Sequence, residues 1–378
     1  MTSNTPPMGW NSWNTFAQNI DETLILESAD RMVETGMRDA GYRYLVIDDC
    51  WAQRERDASG HLVPNPEKFP HGMRYVSDYV HSKGLLFGMY SCAGMMTCAG
   101  YPGSFGHEFE DAKTFAEWGV DFLKYDYCYK PSHAAGDLLY RKMGTALKNC
   151  GRDILFSACS WGADNTEQWI RTTGAGMWRS TLDIVDAWKS VHDVHALQTR
   201  LLPYGGKGCF NDMDMLIVGM NGKGHVGLTG CSFEEYKTHF SLWALLASPL
   251  MAGCDLRTMD EKAKQILLNK DMIAINQDPL CAQPYIAGGH PWPDANEDYI
   301  WTRSLANGDL AIGFFNMGDT DTNMTVSLYD LGFDKGCGKT LSLFDVWSKE
   351  VSRPINDSIT HTVKAHECIV YRASVVDA

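Results

Sequence analysis

Residues 122–129 read FLKYDYCY, directly after the apolar phrase EWGVD at 117–121. The run opens as a buried β-strand and closes by setting Lys124 and Asp126 two residues apart, which in a strand puts both side chains on one face. A carboxylate and an ammonium buried together are costly unless they pair or a site uses them. Taken alone, the couple reads as a structural ion pair. At the C-terminal end of a strand in a parallel barrel it reads as part of a site.

Working outward, seven further short apolar runs share this character: MGWNSW at 8–13, YRYLVID at 42–48, LLFGMY at 85–90, DILFSAC at 153–159, GMWRSTL at 176–182, GGKGCFN at 205–211 and LWALLASPLM at 242–251. Amphipathic stretches alternate with them, among them ETLILESADRMVETGMRDAG at 22–41 and EDAKTFAEWG at 110–119, both closing on glycine. Eight strand–helix units predict an α/β fold, a (β/α)8 TIM barrel over residues 1–285, with its active site at the strand C-termini. Unusual polar and aromatic residues gather at those ends: Trp13, Asp48 and Asp49, Tyr90 and Cys92, Lys124 and Asp126, Ser160 and Trp161, Arg179 and Asp183, Asp212 and Asp214.

From about Asp298 the pattern changes to alternation with period two, as in YIWTRSLANGDLAIGFFN at 299–316, with the turn pair Asn307–Gly308 between two strands. This predicts a C-terminal antiparallel β-sandwich domain over 286–378, with IAGGHPWPDANED at 286–298 as the linker. The net charge of −14 argues against nucleic acid or an anionic membrane surface as partner, and the N-terminus has neither the charged nor the apolar region of a signal peptide. The expectation is a cytoplasmic protein acting on a neutral substrate, with most of its 12 cysteines reduced and buried. Oligomeric state is not legible.

Two carboxylates across a barrel mouth suit glycoside cleavage, in which one attacks the anomeric carbon and the other protonates the leaving oxygen. Asp126 is one candidate. Asp183, four residues after Arg179, is the other, with Asp186 as its competitor; a helix-start acid is the alternative reading of Asp186. The adjacent pair Asp48 and Asp49 suits either a metal or sugar hydroxyls, and sugar is preferred because no HxH or HExxH pattern occurs. His192 and His195 read as surface or core histidines. Trp10, Trp13, Tyr90 and Trp161 together suggest a wall for the apolar face of a sugar ring.

The segments TPPMGWNSWNTF, YLVIDDCW, FPHGMRYVSDYVHSKGL, FGMYSCAG, TCAGYPGSFGHEFEDAKTFAEWGVDFLKYDYCY, WRSTLDIVDAW, NDMDML and INQDPL resemble glycoside hydrolase family 27, the melibiase family of α-galactosidases and α-N-acetylgalactosaminidases, over essentially the whole chain. The resemblance implies a barrel followed by a β-sandwich, no cofactor, Asp126 as nucleophile and Asp183 as acid/base. It implies that Asp48, Asp49 and Lys124 bind galactose hydroxyls, that Arg179 lies near O2 and O3, and that Trp13 and Tyr90 form the wall. It further implies a Cys98–Cys128 disulfide beside the nucleophile, with Met215 and Asp214 closing the pocket floor.

Two departures from the family pattern matter. Cysteines that pair with the matches of Cys50 and Cys159 in secreted animal members have no counterpart here. Ser160 and Ala163 resemble the N-acetylgalactosaminidase version of the C2 pocket, in which small residues leave room for an acetamido group. A terminal α-galactoside is the preferred substrate, with a terminal α-N-acetylgalactosaminide as the alternative. A β-L-arabinopyranoside and a non-catalytic galactoside-binding protein stand behind both.

Overall fold

The structure is a computed structural model describing residues 3–291, 293 and 297–378. Eight parallel strands run in the order β7-β6-β5-β4-β3-β2-β1-β8: β1 Met8–Asn11, β2 Tyr44–Val46, β3 Leu86–Cys92, β4 Phe122–Asp126, β5 Leu155–Ala158, β6 Met177–Arg179, β7 Phe210–Asp212 and β8 Leu250–Ala252. Seven seams are ordinary parallel ladders. The eighth is made by Leu216, four residues past β7: its N–H donates to the Met251 carbonyl at 2.7 Å, and its own carbonyl accepts from Gly253 N–H at 3.0 Å. The curled sheet thereby closes into a barrel.

Inside, Val46, Phe122, Leu155, Met177, Phe210, Met215 and Met251 form one apolar cluster. The period-two rule explains what lies above it. Phe122, Lys124 and Asp126 share a face of β4, so the chain rises from the apolar layer through an ammonium to a carboxylate at the rim.

Two of the expected elements differ from the sequence reading. The run LWALLASPLM is not one strand: its first four residues end the helix Phe233–Leu245, and only its last two belong to the strand Leu250–Ala252. An apolar run buried on every side has no period to distinguish helix from strand. The distinguishing signal lies upstream, in a capping box in which Ser232 and Glu235 satisfy each other's backbone N–H groups. The segment 22–41 is two helices, Glu22–Glu34 and Met37–Ala40, separated at Gly36, whose φ of +86° is left-handed.

The C-terminal region holds a six-stranded antiparallel sheet, in the order β14-β13-β16-β11-β10-β9, and a two-stranded sheet β12-β15. The strands are β9 Tyr285–His290, β10 Asp298–Ser304, β11 Leu310–Asn316, β12 Thr322–Ser327, β13 Lys339–Asp345, β14 Val351–Ser352, β15 Ser358–Val363 and β16 Cys368–Asp377. Ile300, Ile312 and Phe314 of the larger sheet pack with Met324, Val326 and Ile359 of the smaller, giving the sandwich its own core. The glycine-rich start of the expected linker is strand β9, which pairs with β10 through a register shift at Ile300/Trp301. Residues 292 and 294–296 of that linker lie outside the described residues.

His192 and His195 join the two layers rather than facing solvent. His195 Nε2 accepts from Trp301 Nε1 at 3.0 Å, and His192 Nε2 lies 2.6 Å from Glu297. Burial pushes His195 down to about 3, so it is neutral and can accept that bond.

Candidate active site

A cavity opens at the C-terminal ends of the strands, bordered by Trp13, Asn14, Asp48, Asp49, Tyr90, Cys98, Lys124, Asp126, Trp161, Arg179, Asp183, Asp214, Met215 and Val226. Parallel register brings its parts together: Tyr90 lies beside Lys124, and Cys92 beside Asp126, across the β3–β4 seam. Asp48 and Asp49 both reach it because β2 ends at Val46 and the chain bends at Asp49 and Cys50.

Lys124 pairs with Asp48, not with Asp126. Its Nζ lies 2.8 Å from Asp48 Oδ2, which also accepts from Asn11 Nδ2 at 2.7 Å. The structural ion pair read from residues 124 and 126 is therefore replaced by a pair across two strands. Burial works against the Lys124 charge, but Asp48 and Asp126 outweigh it and hold the ammonium above its ordinary range. Asp49 accepts from Cys50 N–H at 2.7 Å and Ala99 N–H at 3.0 Å, and desolvation raises it.

Asp126 is buried and held at both oxygens. Tyr90 donates its hydroxyl to Oδ2 at 2.9 Å, and the Tyr127 N–H donates to Oδ1 at 3.0 Å. Desolvation raises its pKa to about 6 against the opposing pull of Lys124. The Cys98–Cys128 disulfide stands next to it, Cys98 Sγ lying 3.4 Å from Oδ2. Gly94 is required here: a Cβ at that position would lie 2.0 Å from the Cys128 carbonyl oxygen. Cys98, Asp126 and Cys128 are also close enough to one another to suggest metal ligands, but the two sulfurs are spent on the disulfide.

Asp183 occupies the opposite extreme. Its side chain is 67 % exposed on the loop after β6, where Arg179 Nη2 approaches at 2.6 Å. Enclosure by the cavity rim tends to raise its pKa, but the charges of Arg179 and Lys124 more than offset this and hold it low. Arg179 is shared, because the same Nη2 lies 2.7 Å from Asp214 Oδ2. Asp214 also accepts from Ile184 N–H at 2.6 Å, anchoring the backbone next to Asp183, and from Met215 N–H at 2.7 Å. Burial raises Asp214. Its φ of +81° is a strained value for a non-glycine residue, maintained by those contacts.

Ser160 and Ala163 are not brought to the cavity. Ser160 is fully buried and shares a hydrogen with Thr166 Oγ1 at 2.6 Å, while Ala163 N–H donates back to the Ser160 carbonyl at 2.9 Å. The turn that sends them away presents Trp161, whose φ of +56° is left-handed, to the cavity instead. Trp10 is also core rather than wall, its Nε1 donating to the Cys254 carbonyl at 2.8 Å. Asp186 is not a helix-start acid: the residue capping the helix Trp188–Ala196 is Ala187. Asp186 is fully buried and accepts from Tyr236 Oη at 2.8 Å and Gly222 N–H at 2.7 Å.

Sequence reading missed Asn11, Asn14 and Val226. The two asparagines flank Trp13 in the NSWN phrase, where a run of amides at a strand end was the available signal. Val226 sits on a long loop, and its sequence carries no mark of function.

The family model for alpha galactosidase A matches residues 5–278, and that for the alpha galactosidase C-terminal beta sandwich domain matches 296–373. The chain belongs to glycoside hydrolase family 27, the melibiases. Among curated relatives, an alpha-galactosidase of Cyamopsis tetragonoloba is 41 % identical over 97 % of this chain and 85 % of its own length. Among solved structures, alpha-galactosidase I of Mortierella vinacea is 33 % identical with a TM-score of 0.88, covering 98 % of this chain and 97 % of its own. A Saccharomyces cerevisiae alpha-galactosidase solved with raffinose is 30 % identical with a TM-score of 0.89, covering 99 % of this melibiase and 98 % of its own chain.

Proposed function

We propose that this melibiase is an exo-acting, retaining α-galactosidase that releases terminal α-linked galactose by double displacement. The observation that carries the reading is the unequal placement of two carboxylates around one cavity: Asp126 held rigidly in its buried part, Asp183 exposed at its mouth. A nucleophile must be aimed and need not meet solvent. An acid/base must exchange its proton with water in every cycle. Asp126 therefore attacks the anomeric carbon while Asp183 protonates the glycosidic oxygen. Asp183 then takes a proton from the water that cleaves the glycosyl ester, and the released sugar keeps its configuration.

In the free protein Asp183 is ionised beside Arg179, which is the wrong state for an acid. A sugar whose O2 and O3 engage Arg179 draws the guanidinium away and lets Asp183 take its proton. Asp48, Asp49 and Lys124 offer charged, hydrogen-bonded partners to the remaining hydroxyls.

Galactose rather than N-acetylgalactosamine is supported by the curated α-galactosidase relatives and by the burial of Ser160, whose smallness therefore opens no recess in the cavity. Initial rates on aryl α-galactoside and aryl α-N-acetylgalactosaminide test the sugar, and a higher kcat/KM on the second overturns it. Proton NMR of the first-formed sugar tests the mechanism; the α-anomer is expected, and an initial β-anomer refutes the pairing of roles.

A further inference from the structure

Asp183 borders two hollows. On one side is the sugar cavity; on the other is a groove of about 430 Å³ whose apolar side chains are Leu182, Val185, Ala187, Val194, Leu197 and Leu228. Leu182 and Leu228 are 74 % and 61 % exposed, unusual for adjacent leucines on one surface. No aromatic ring lines the groove. Of its polar side chains besides Asp183, Lys189 and Asp193 pair with each other at 2.7 Å, Ser190 Oγ accepts from Val185 N–H at 3.0 Å, and Thr181 Oγ1 is buried.

The groove is pre-formed by the same parts that shape the sugar cavity. One wall is the loop that carries Leu182 and Asp183. The other is the loop that places Val226 against the sugar cavity and Leu228 in the groove. Asp186 ties the two together: its carboxylate accepts from Gly222 N–H, its own N–H donates to the Val226 carbonyl at 2.9 Å, and its carbonyl accepts from Gly230 N–H at 3.0 Å.

The acid must touch the glycosidic oxygen, so whatever leaves with that oxygen lies on Asp183's side, away from the sugar. We propose that this groove is the leaving-group subsite and that it favours aglycones of aliphatic character over a second sugar ring; the inference rests on the α-galactosidase reading. A second sugar would present hydroxyls to leucine and valine side chains that cannot hydrogen-bond, with no ring for its apolar face to stack on. An alkyl chain leaves water along its length.

The test is kcat/KM on methyl, butyl and octyl α-galactosides, in the wild type and in Leu182→Ser/Leu228→Ser. Burial of several methylenes should raise kcat/KM by roughly tenfold or more from methyl to octyl in the wild type. The double variant, altered only at exposed positions, should bring that ratio down toward one. Leu197→Lys, at another point of the apolar lining, should lower the octyl/methyl ratio in the same direction. A flat series in the wild type, or a slope unchanged in the double variant, overturns the groove while the α-galactosidase reading stands. Failure to cleave any α-galactoside overturns both.

Discussion

The buried part and the mouth of the cavity are built by different means. In the first, Asp126, Tyr90 and Asp48 are buried and Lys124 nearly so, all on or just past neighbouring strands and each held by a named partner. At the mouth, Asp183, Trp161 and Val226 stand on loops, and Asp183 depends on a single guanidinium shared with Asp214. Strand ends suit the part of the substrate that never varies, because ladder register fixes side chains to within a fraction of an ångström. Loops suit proton exchange with solvent and the part of the substrate that varies.

The hardest test of that contrast is removal of Asp126. Asp126→Ala is expected to abolish turnover on every substrate, a loss on the order of 10⁴-fold or more, because no exposed group substitutes for an aimed nucleophile. In the intact protein, kcat/KM should fall as pH drops through about 6, where Asp126 takes up a proton. An acid limb well below that value would mean that the charge of Lys124 outweighs desolvation at Asp126.

Next in size, Asp183→Ala should lose about 10²–10⁴-fold on alkyl galactosides while sparing the first step for aryl leaving groups that need no proton. Azide should restore turnover by attacking the glycosyl ester directly. Equal rescue of both alanine variants would mean that the pair is wrongly assigned or exchanged.

Asp126→Asn probes the cost of the buried charge. The folded pKa is raised to about 6 from 3.8, so between those values the native state holds more protons than the unfolded chain, and stability falls as pH rises through the window. Above about pH 6 the asparagine variant should be more stable by on the order of 1–3 kcal/mol. Below about pH 4 the two should converge. Denaturant titration at pH 4 and 7.5 reads the difference, and equal stability at both would place the charge in a better-solvated setting.

The smallest effect is expected at Ser160. Loss of its hydrogen bond to Thr166 in Ser160→Ala should cost about 1 kcal/mol of stability and leave the ratio of galactoside to N-acetylgalactosaminide rates unchanged. A changed ratio would put Ser160 back at C2.

How much was legible in advance differs along the same line. Lys124 and Asp126 were placed on one face by period two alone, and the clustering of acids at strand ends pointed to one rim. The partner of Lys124 was not readable, since its contact with Asp48 spans 76 residues and depends on barrel register. Ser160 and Ala163 were read as C2-pocket residues from the resemblance to the family. A left-handed residue at Trp161 reverses which side chain reaches in, and nothing in SWGA announces it. The helix through Leu242–Leu245 was hidden by burial on all sides, and β9 by its glycines.

The sequence by itself determined the alternation of strands and helices, the change to period two near Asp298, and the two carboxylates, one at a strand end and one just past another. These are local, since period, capping and turn chemistry act within a few residues. Only the tertiary structure decided that Leu216 closes the barrel, that Lys124 belongs to Asp48, that Arg179 divides itself between Asp183 and Asp214, and that Asp183 separates a polar cavity from an apolar groove. Each of those brings together residues from different strands or loops. Such contacts are set by register and by the packing of the whole barrel, which no short window of sequence contains.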